Sequence, residues 1–159
     1  MIDYLVREKT TGCDSRIEDF FYDTFYMPDG IAPLPRKILS LPYYQKYFDD
    51  LGSRKGDLCY EAYDTHTCDV VGAVWTRLVS DSEIESNTPF LLISVSAEYR
   101  GRGIGTALLQ RILSELKRNG FDKVILFVHR HNRAVSLYKR YGFSVYDSNN
   151  EYYKMVKVL

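Results

Sequence analysis

The run Arg100-Gly101-Arg102-Gly103-Ile104-Gly105-Thr106 is the part of this sequence best equipped to hold an anion. Glycines let a backbone pass close to a ligand, because no Cβ stands in the way. An apolar run precedes this turn and a helical pattern follows it, so the unpaired N–H groups of the helix's first turn face the ligand. The helix dipole adds about half a positive charge there. Arg100 and Arg102 strengthen the same field, so the chemistry implied is phosphate binding. A tight strand-to-helix turn with no ligand is the alternative reading. Two other phosphate binders fit poorly. A P-loop needs Gly-Lys followed by Ser or Thr, and neither tripeptide occurs. A dinucleotide fold needs G-x-G-x-x-G and an acid about 20 residues later for the ribose. Here the glycines stand at 101, 103 and 105, and the next strand ends in Val128-His129-Arg130-His131.

Charge supports a polyanionic ligand. The 159 residues carry 21 Lys/Arg and 21 Asp/Glu, so the net charge is zero, yet the distribution is lopsided. Residues 1–98 hold 9 basic and 17 acidic side chains, whereas residues 99–140 hold 10 basic ones against Glu115 and Asp122 alone. A basic stretch beside a glycine turn suits a polyanion, and the acidic half suits a cationic second ligand. For any single charge, solvation of a helix face is the better account. No nucleic-acid-binding motif is present, so a nucleic-acid partner is not expected.

Hydrophobic periodicity supplies the elements that position this turn. Residues 2–6 read as a strand, and Asp14 or Ser15 can cap a helix through Ile17, Phe20, Phe21 and Phe25. After a proline-rich loop, residues 40–51 read as a second helix with Pro42 near its start. Residues 58–63 and 70–79 read as a hairpin, and residues 90–96 as a buried strand. The helix over 103–119 carries Ile104, Leu108, Ile112 and Leu116 at helical spacing, and Gly120 stops it. A β-branched strand covers 124–128. Asn132 can cap a helix with Ala134, Leu137, Tyr138 and Tyr141 on one face, and strands over 143–146 and 152–158 close the chain. The order is β-α-α-β-β-β-α-β-α-β-β, an α/β (α+β) arrangement in a single domain, residues 1–159.

These residues resemble the GNAT N-acetyltransferases. Arg100-x-x-Gly103-x-Gly105 is similar to that family's pyrophosphate-gripping signature R/Q-x-x-G-x-G/A. Asn132-Arg133-Ala134-Val135-Ser136-Leu137-Tyr138-x-x-x-Gly142-Phe143 resembles its second signature, and together the two span residues 90–146. The resemblance implies a central mixed, mostly antiparallel sheet flanked by helices. It implies acetyl-CoA as co-substrate, with Gly101, Arg102, Gly103, Ile104, Gly105 and Thr106 on the pyrophosphate through their backbone. Ile93, Ser94 and Val95 would lie along the pantetheine arm, a backbone N–H at Val95 would meet the thioester carbonyl, and Asn132 would touch CoA or a water. Tyr138 would be the general acid for the leaving thiolate, although its apolar neighbours also suit a plain core tyrosine.

The reaction implied is direct attack of an amine on a thioester, an acyltransferase needing no metal. The expected acceptor is a small cationic amine, held by the aromatic and acidic side chains Phe21, Tyr22, Asp23, Tyr26 and Asp29. The alternatives are a protein N-terminal acetyltransferase and a non-catalytic acetyl-CoA sensor. Relatives often carry a glutamate where this chain has Phe90, so the base is sought among Asp81, Glu83 and Glu85, with Glu61 as another candidate. His66, His129 and His131 lack metal-ligand spacing, and the last two are placed near CoA or solvent. Three scattered cysteines without C-x-x-C spacing read as free thiols in a reducing, cytoplasmic setting. No membrane span is expected from an apolar run as short as residues 90–93, and no secretion signal from the first residues. Late strands could support a homodimer.

Overall fold

The computed structural model describes residues 3–9, 15–81 and 83–159. Its elements are β1 (Tyr4–Glu8), α1 (Ser15–Asp23), α2 (Pro42–Gln45), β2 (Leu58–Asp64), β3 (Val70–Arg77), β4 (Phe90–Val95), α3 (Ile104–Arg118), β5 (Lys123–His129), α4 (Ala134–Arg140), β6 (Ser144–Ser148) and β7 (Tyr152–Val158). Short 3-10 turns at Arg36–Ser40 and Ala97–Tyr99 precede α2 and α3. The expected order is the observed one. Ile2, Cys13 and the cap at Asp14 lie outside the described residues.

Seven strands form one sheet in the order β1-β2-β3-β4-β5-β7-β6. Every neighbouring pair is antiparallel except β4 and β5. Alternation along the strands divides the core in two. Tyr60, Val74, Leu91, Val124, Leu126 and Val128 point to the face covered by α3 and α4. Cys59, Ala73, Trp75, Phe90, Leu92 and Ile125 point to the face covered by α1 and the residues around α2. β4 is therefore apolar on both sides, as a strand covered by two helical layers must be. The apolar stripe of α3 (Ile104, Leu108, Leu109, Ile112, Leu116) is nearly inaccessible, so burial holds that helix against the sheet.

The expected long helix over 40–51 is a correction. The α-helix covers only Pro42–Gln45, and looser turns continue through Tyr47 N–H to the Tyr44 carbonyl and Phe48 N–H to the Gln45 carbonyl. The cause lies far along the chain. Arg77 extends its buried guanidinium under this segment and donates to the carbonyls of Lys46 and Asp49. Those carbonyls are turned to the cation, so the periodic apolar residues Tyr47, Phe48 and Leu51 are buried by a turn rather than a helix.

Candidate active site

The sheet parts between its two parallel strands. β4 and β5 share only the register pair Phe90↔Ile125, joined by the Ile125 N–H on the Pro89 carbonyl at 3.1 Å. Beyond it β4 follows β3 while β5 follows β7, leaving a wedge that widens toward the carboxyl ends of both strands. That end of parallel strands is where open α/β sheets place ligands. Ile93, Ser94 and Val95 line the β4 side of the wedge, and Ser94 is buried.

The glycine turn caps the wide end. Gly101 and Gly103 have φ of +75° and +85°, the left-handed region that glycine enters without penalty. A Cβ on Gly103 would meet nothing nearer than the Tyr4 hydroxyl at 3.8 Å, so its replacement is costly through backbone strain and not through crowding. Gly103→Ala is expected to lower stability by about 1–2 kcal/mol, read by urea denaturation. Among the described residues, the backbone N–H groups of residues 101–106 make no hydrogen bond within the protein; the first such N–H of the segment belongs to Ala107, on the Gly103 carbonyl at 3.0 Å. A row of free amides at the start of a fifteen-residue helix is what a pyrophosphate needs, so the residues fit the group that the sequence implied.

The two arginines of the turn act differently. Arg100 folds back and donates Nε–H to the Val95 carbonyl at 2.8 Å, tying the turn to the end of β4. Arg102 leans over the Tyr99 ring at 5.7 Å, and Tyr99 donates to Asp64 at 3.1 Å. At the end of α1, desolvation raises the Asp23 carboxyl above its ordinary range, with Arg100 close enough to oppose the rise. The carboxyl end of α1 therefore lies beside the turn.

Tyr138 stands on α4, buried, with its ring edge-on to Phe143 at 5.8 Å. Burial alone pushes its phenol well above the usual tyrosine range, so it stays protonated at neutral pH. No protein acceptor takes its hydroxyl hydrogen among the described residues. The helix is set by Asn132, whose Oδ1 accepts the Ala134 N–H at 2.9 Å while its own N–H bonds the His129 carbonyl at 2.9 Å. The expected cap at Asn132 is a correction: the cap position is Arg133, and Asn132 supports the helix start from the residue before it.

The four acids considered as bases are each occupied elsewhere. Glu83 pairs with Lys154 at 3.3 Å and Glu85 with Lys123, and both line a cleft of about 310 Å³ at the closed end of the wedge. Asp81 accepts from Lys46 at 2.7 Å, and chiefly that bond holds its carboxyl below the ordinary range. Glu61 is buried on β2, two strands from β4, with Lys9 at 3.3 Å and the Tyr63 hydroxyl at 2.5 Å. Phe90 packs between Tyr47 and Phe127.

The aromatic-acidic segment of residues 21–29 is only partly a pocket wall. Phe21 is core, stacked on Tyr47 at 5.7 Å, and Tyr22 donates to the Leu34 carbonyl at 2.6 Å, which pins the loop. Tyr26 reaches across to β5, stacking on His129 at 4.6 Å, while Asp23 lies near Arg100 of the glycine turn. His129, placed near CoA or solvent from the sequence, is given no role there. The available signal was the two-residue period of β5, in which Ile125 and Phe127 face the α1 side and His129 continues the row. Among the described residues no group of His, Cys, Asp and Glu could hold a metal ion. No helix among the described residues is long and apolar enough to cross a membrane.

The sequence profile of the acetyltransferase (GNAT) family matches residues 16–143. The chain is 30% identical over 122 residues to "Probable N-acetyltransferase san" of Drosophila melanogaster, covering 76% of this chain and 64% of that one. It is 30% identical over 135 residues to "N-alpha-acetyltransferase 50" of Danio rerio, covering 82% of this chain and 78% of that one. It spans just under two thirds of the fly protein's length. Among solved structures, a GCN5-related N-acetyltransferase from Kribbella flavida superposes with a TM-score of 0.69 at 20% identity, over 98% of each chain. PaiA N-acetyltransferase from Thermoplasma acidophilum, in complex with coenzyme A, superposes with 0.66 at 17% identity, over 98% of this chain and 99% of that one. With its parted parallel strands, glycine turn and matching profile, this chain belongs to the GNAT acetyltransferase family.

Proposed function

We propose that this chain transfers the acetyl group of acetyl-CoA to the α-amine at the N-terminus of a polypeptide. The observation that carries the transfer is the parting of β4 from β5 after one register pair, with the row of free amides at its wide end. Backbone N–H groups of residues 101–106 would hold the pyrophosphate, and the free edge of Ile93–Ser94–Val95 would pair with the pantetheine arm. Acetyl-CoA supplies the acetyl group as an activated thioester, so positioning and proton handling are what the protein adds. Tyr138 is the acid, giving its phenolic proton to the departing sulfur.

The acceptor follows from the missing base. All four candidate acids are ion-paired away from the wedge, and Phe90 stands where a carboxylate would serve. A lysine-like amine of pKa about 10.4 must lose roughly 4.6 kcal/mol to become neutral at pH 7, whereas an α-amine of pKa about 7.7–8.0 loses only about 1 kcal/mol. With these four carboxylates held in ion pairs, the amine that is cheaper to neutralise is the better match. The 30% identity to a protein described as an N-alpha-acetyltransferase supports the same acceptor. Of the side chains expected to hold a small cationic amine, Phe21 and Tyr22 are engaged in packing and in pinning a loop, which weakens the support for that acceptor.

Thermal melts with acetyl-CoA, CoA, ATP and NADH test the co-substrate. A ligand at a hundred times its Kd adds about 2.7 kcal/mol, which for this size raises Tm by roughly 5–10 °C. Stabilisation by the two CoA species alone is expected. A shift with ATP or NADH and none with CoA would overturn the assignment.

A further inference from the structure

His129 occupies the last position of β5, half-buried, where the wedge is widest. Four contacts fix its ring. Tyr26, from the segment after α1, stacks on it at 4.6 Å and 29°. Tyr152, its register partner on β7, meets it edge-on at 5.5 Å. His131 lies at 5.5 Å, and the His131 backbone N–H donates to His129 Nδ1 at 3.2 Å.

The last contact decides the ring's chemistry. A ring nitrogen that accepts an N–H carries no proton, so in the neutral imidazole the proton sits on Nε2. Nε2–H is then a donor, and it has no partner among the described residues. The Nδ1 lone pair of that tautomer is engaged by the His131 N–H, so the ring's outward group is the Nε2 donor. The aromatic walls supplied by Tyr26 and Tyr152 give the ring one orientation, so its donor is preorganised.

We propose that His129 Nε2–H binds a backbone carbonyl of the acceptor polypeptide, so that the site recognises a peptide chain and not merely an amine. This rests on the assignment of a polypeptide α-amine as acceptor. The three elements that meet at His129 belong to the α1 segment, β5 and β7. They surround the mouth of the wedge on the face opposite α3 and α4, leaving the glycine turn for the co-substrate. A carbonyl a short way along the peptide from the reacting amine meets a donor at this mouth. A polyamine or amino sugar has no such carbonyl to offer.

Initial rates with a synthetic peptide bearing a free α-amine, at saturating acetyl-CoA, test this. His129→Phe keeps an aromatic ring between Tyr26 and Tyr152 and removes the donor. It is expected to raise the peptide KM roughly tenfold, the worth of one hydrogen bond of about 1.4 kcal/mol. The kcat and the KM for acetyl-CoA should stay within about twofold, which a general loss of structure would not allow. His129→Gln places an amide N–H near the Nε2 position and is expected to restore most of the peptide KM. An unchanged peptide KM in His129→Phe overturns the inference, as does a matching fall in kcat that Gln fails to rescue. If the wild-type protein acetylates amines but no peptide, the acceptor assignment fails and this inference with it. Wild-type acetylation of peptide with His129→Phe indistinguishable from it removes this inference alone.

Discussion

Tyr138→Phe is expected to lower kcat about 10²–10⁴-fold, the usual contribution of a positioned proton donor, while leaving the fold in place. The hydroxyl is the only group removed, and no protein partner among the described residues loses a hydrogen bond. The ring's packing against Phe143 and the surrounding apolar residues of the α3–α4 core is retained. Urea denaturation of the variant should therefore match wild type within about 0.5 kcal/mol. The KM for acetyl-CoA should change little, because the proton is needed as the thiolate departs and not when the thioester binds. Burial keeps the wild-type phenol protonated across the neutral range, so the loss in the variant should be the same at pH 7 and pH 9. A core tyrosine with no part in the reaction predicts wild-type kcat instead.

Arg77 carries the largest expected effect on stability. Its side chain and that of Asp57 are both fully inaccessible, and they meet in a two-point pair with Nε to Oδ1 at 2.9 Å and Nη2 to Oδ2 at 2.7 Å. The second carboxylate oxygen also accepts the N–H groups of Gly52 and Arg54. Arg77→Met leaves that carboxylate buried and without its cation, which costs about 3–5 kcal/mol. In a domain of this length each kcal/mol is worth roughly 2–4 °C, so Tm should fall by roughly 10 °C. Arg77→Met combined with Asp57→Asn should recover more than half of the loss. The amide keeps an acceptor for Gly52 and Arg54 without a charge to strand. A single-variant loss below about 1 kcal/mol would mean that water reaches the pair and screens it.

What could be read from the sequence follows from how local the signal was. The glycine spacing, the stripe on α3 and the Asn132-to-Phe143 run lie within one strand–helix–strand–helix stretch, and short-range rules place them. The order of elements followed from the same periodicities. The length of α2 was not legible, because Arg77 takes its carbonyls from 28 and 31 residues away. Nor were the partners of Glu83 and Glu85 legible. Lys154 and Lys123 come from β7 and β5, and only the folded sheet brings them to the loop before β4. The Tyr26–His129 stack is the extreme case, joining the segment after α1 to the end of β5. Both residues were noticed for their types, and the contact that gives His129 an orientation comes from the fold alone. Arg100 shows a subtler limit, since its place in the signature does not reveal that its Nε is spent on Val95.

The most direct measurement is mass spectrometry of a lysine-containing peptide with a free α-amine, incubated with acetyl-CoA and the protein, with fragmentation to locate any acetyl group. One acetyl group on the α-amine, none on the lysine, and loss of the product with Tyr138→Phe is the predicted result. Acetylation confined to the lysine side chain, or an unmodified peptide beside an acetylated small amine, would contradict it.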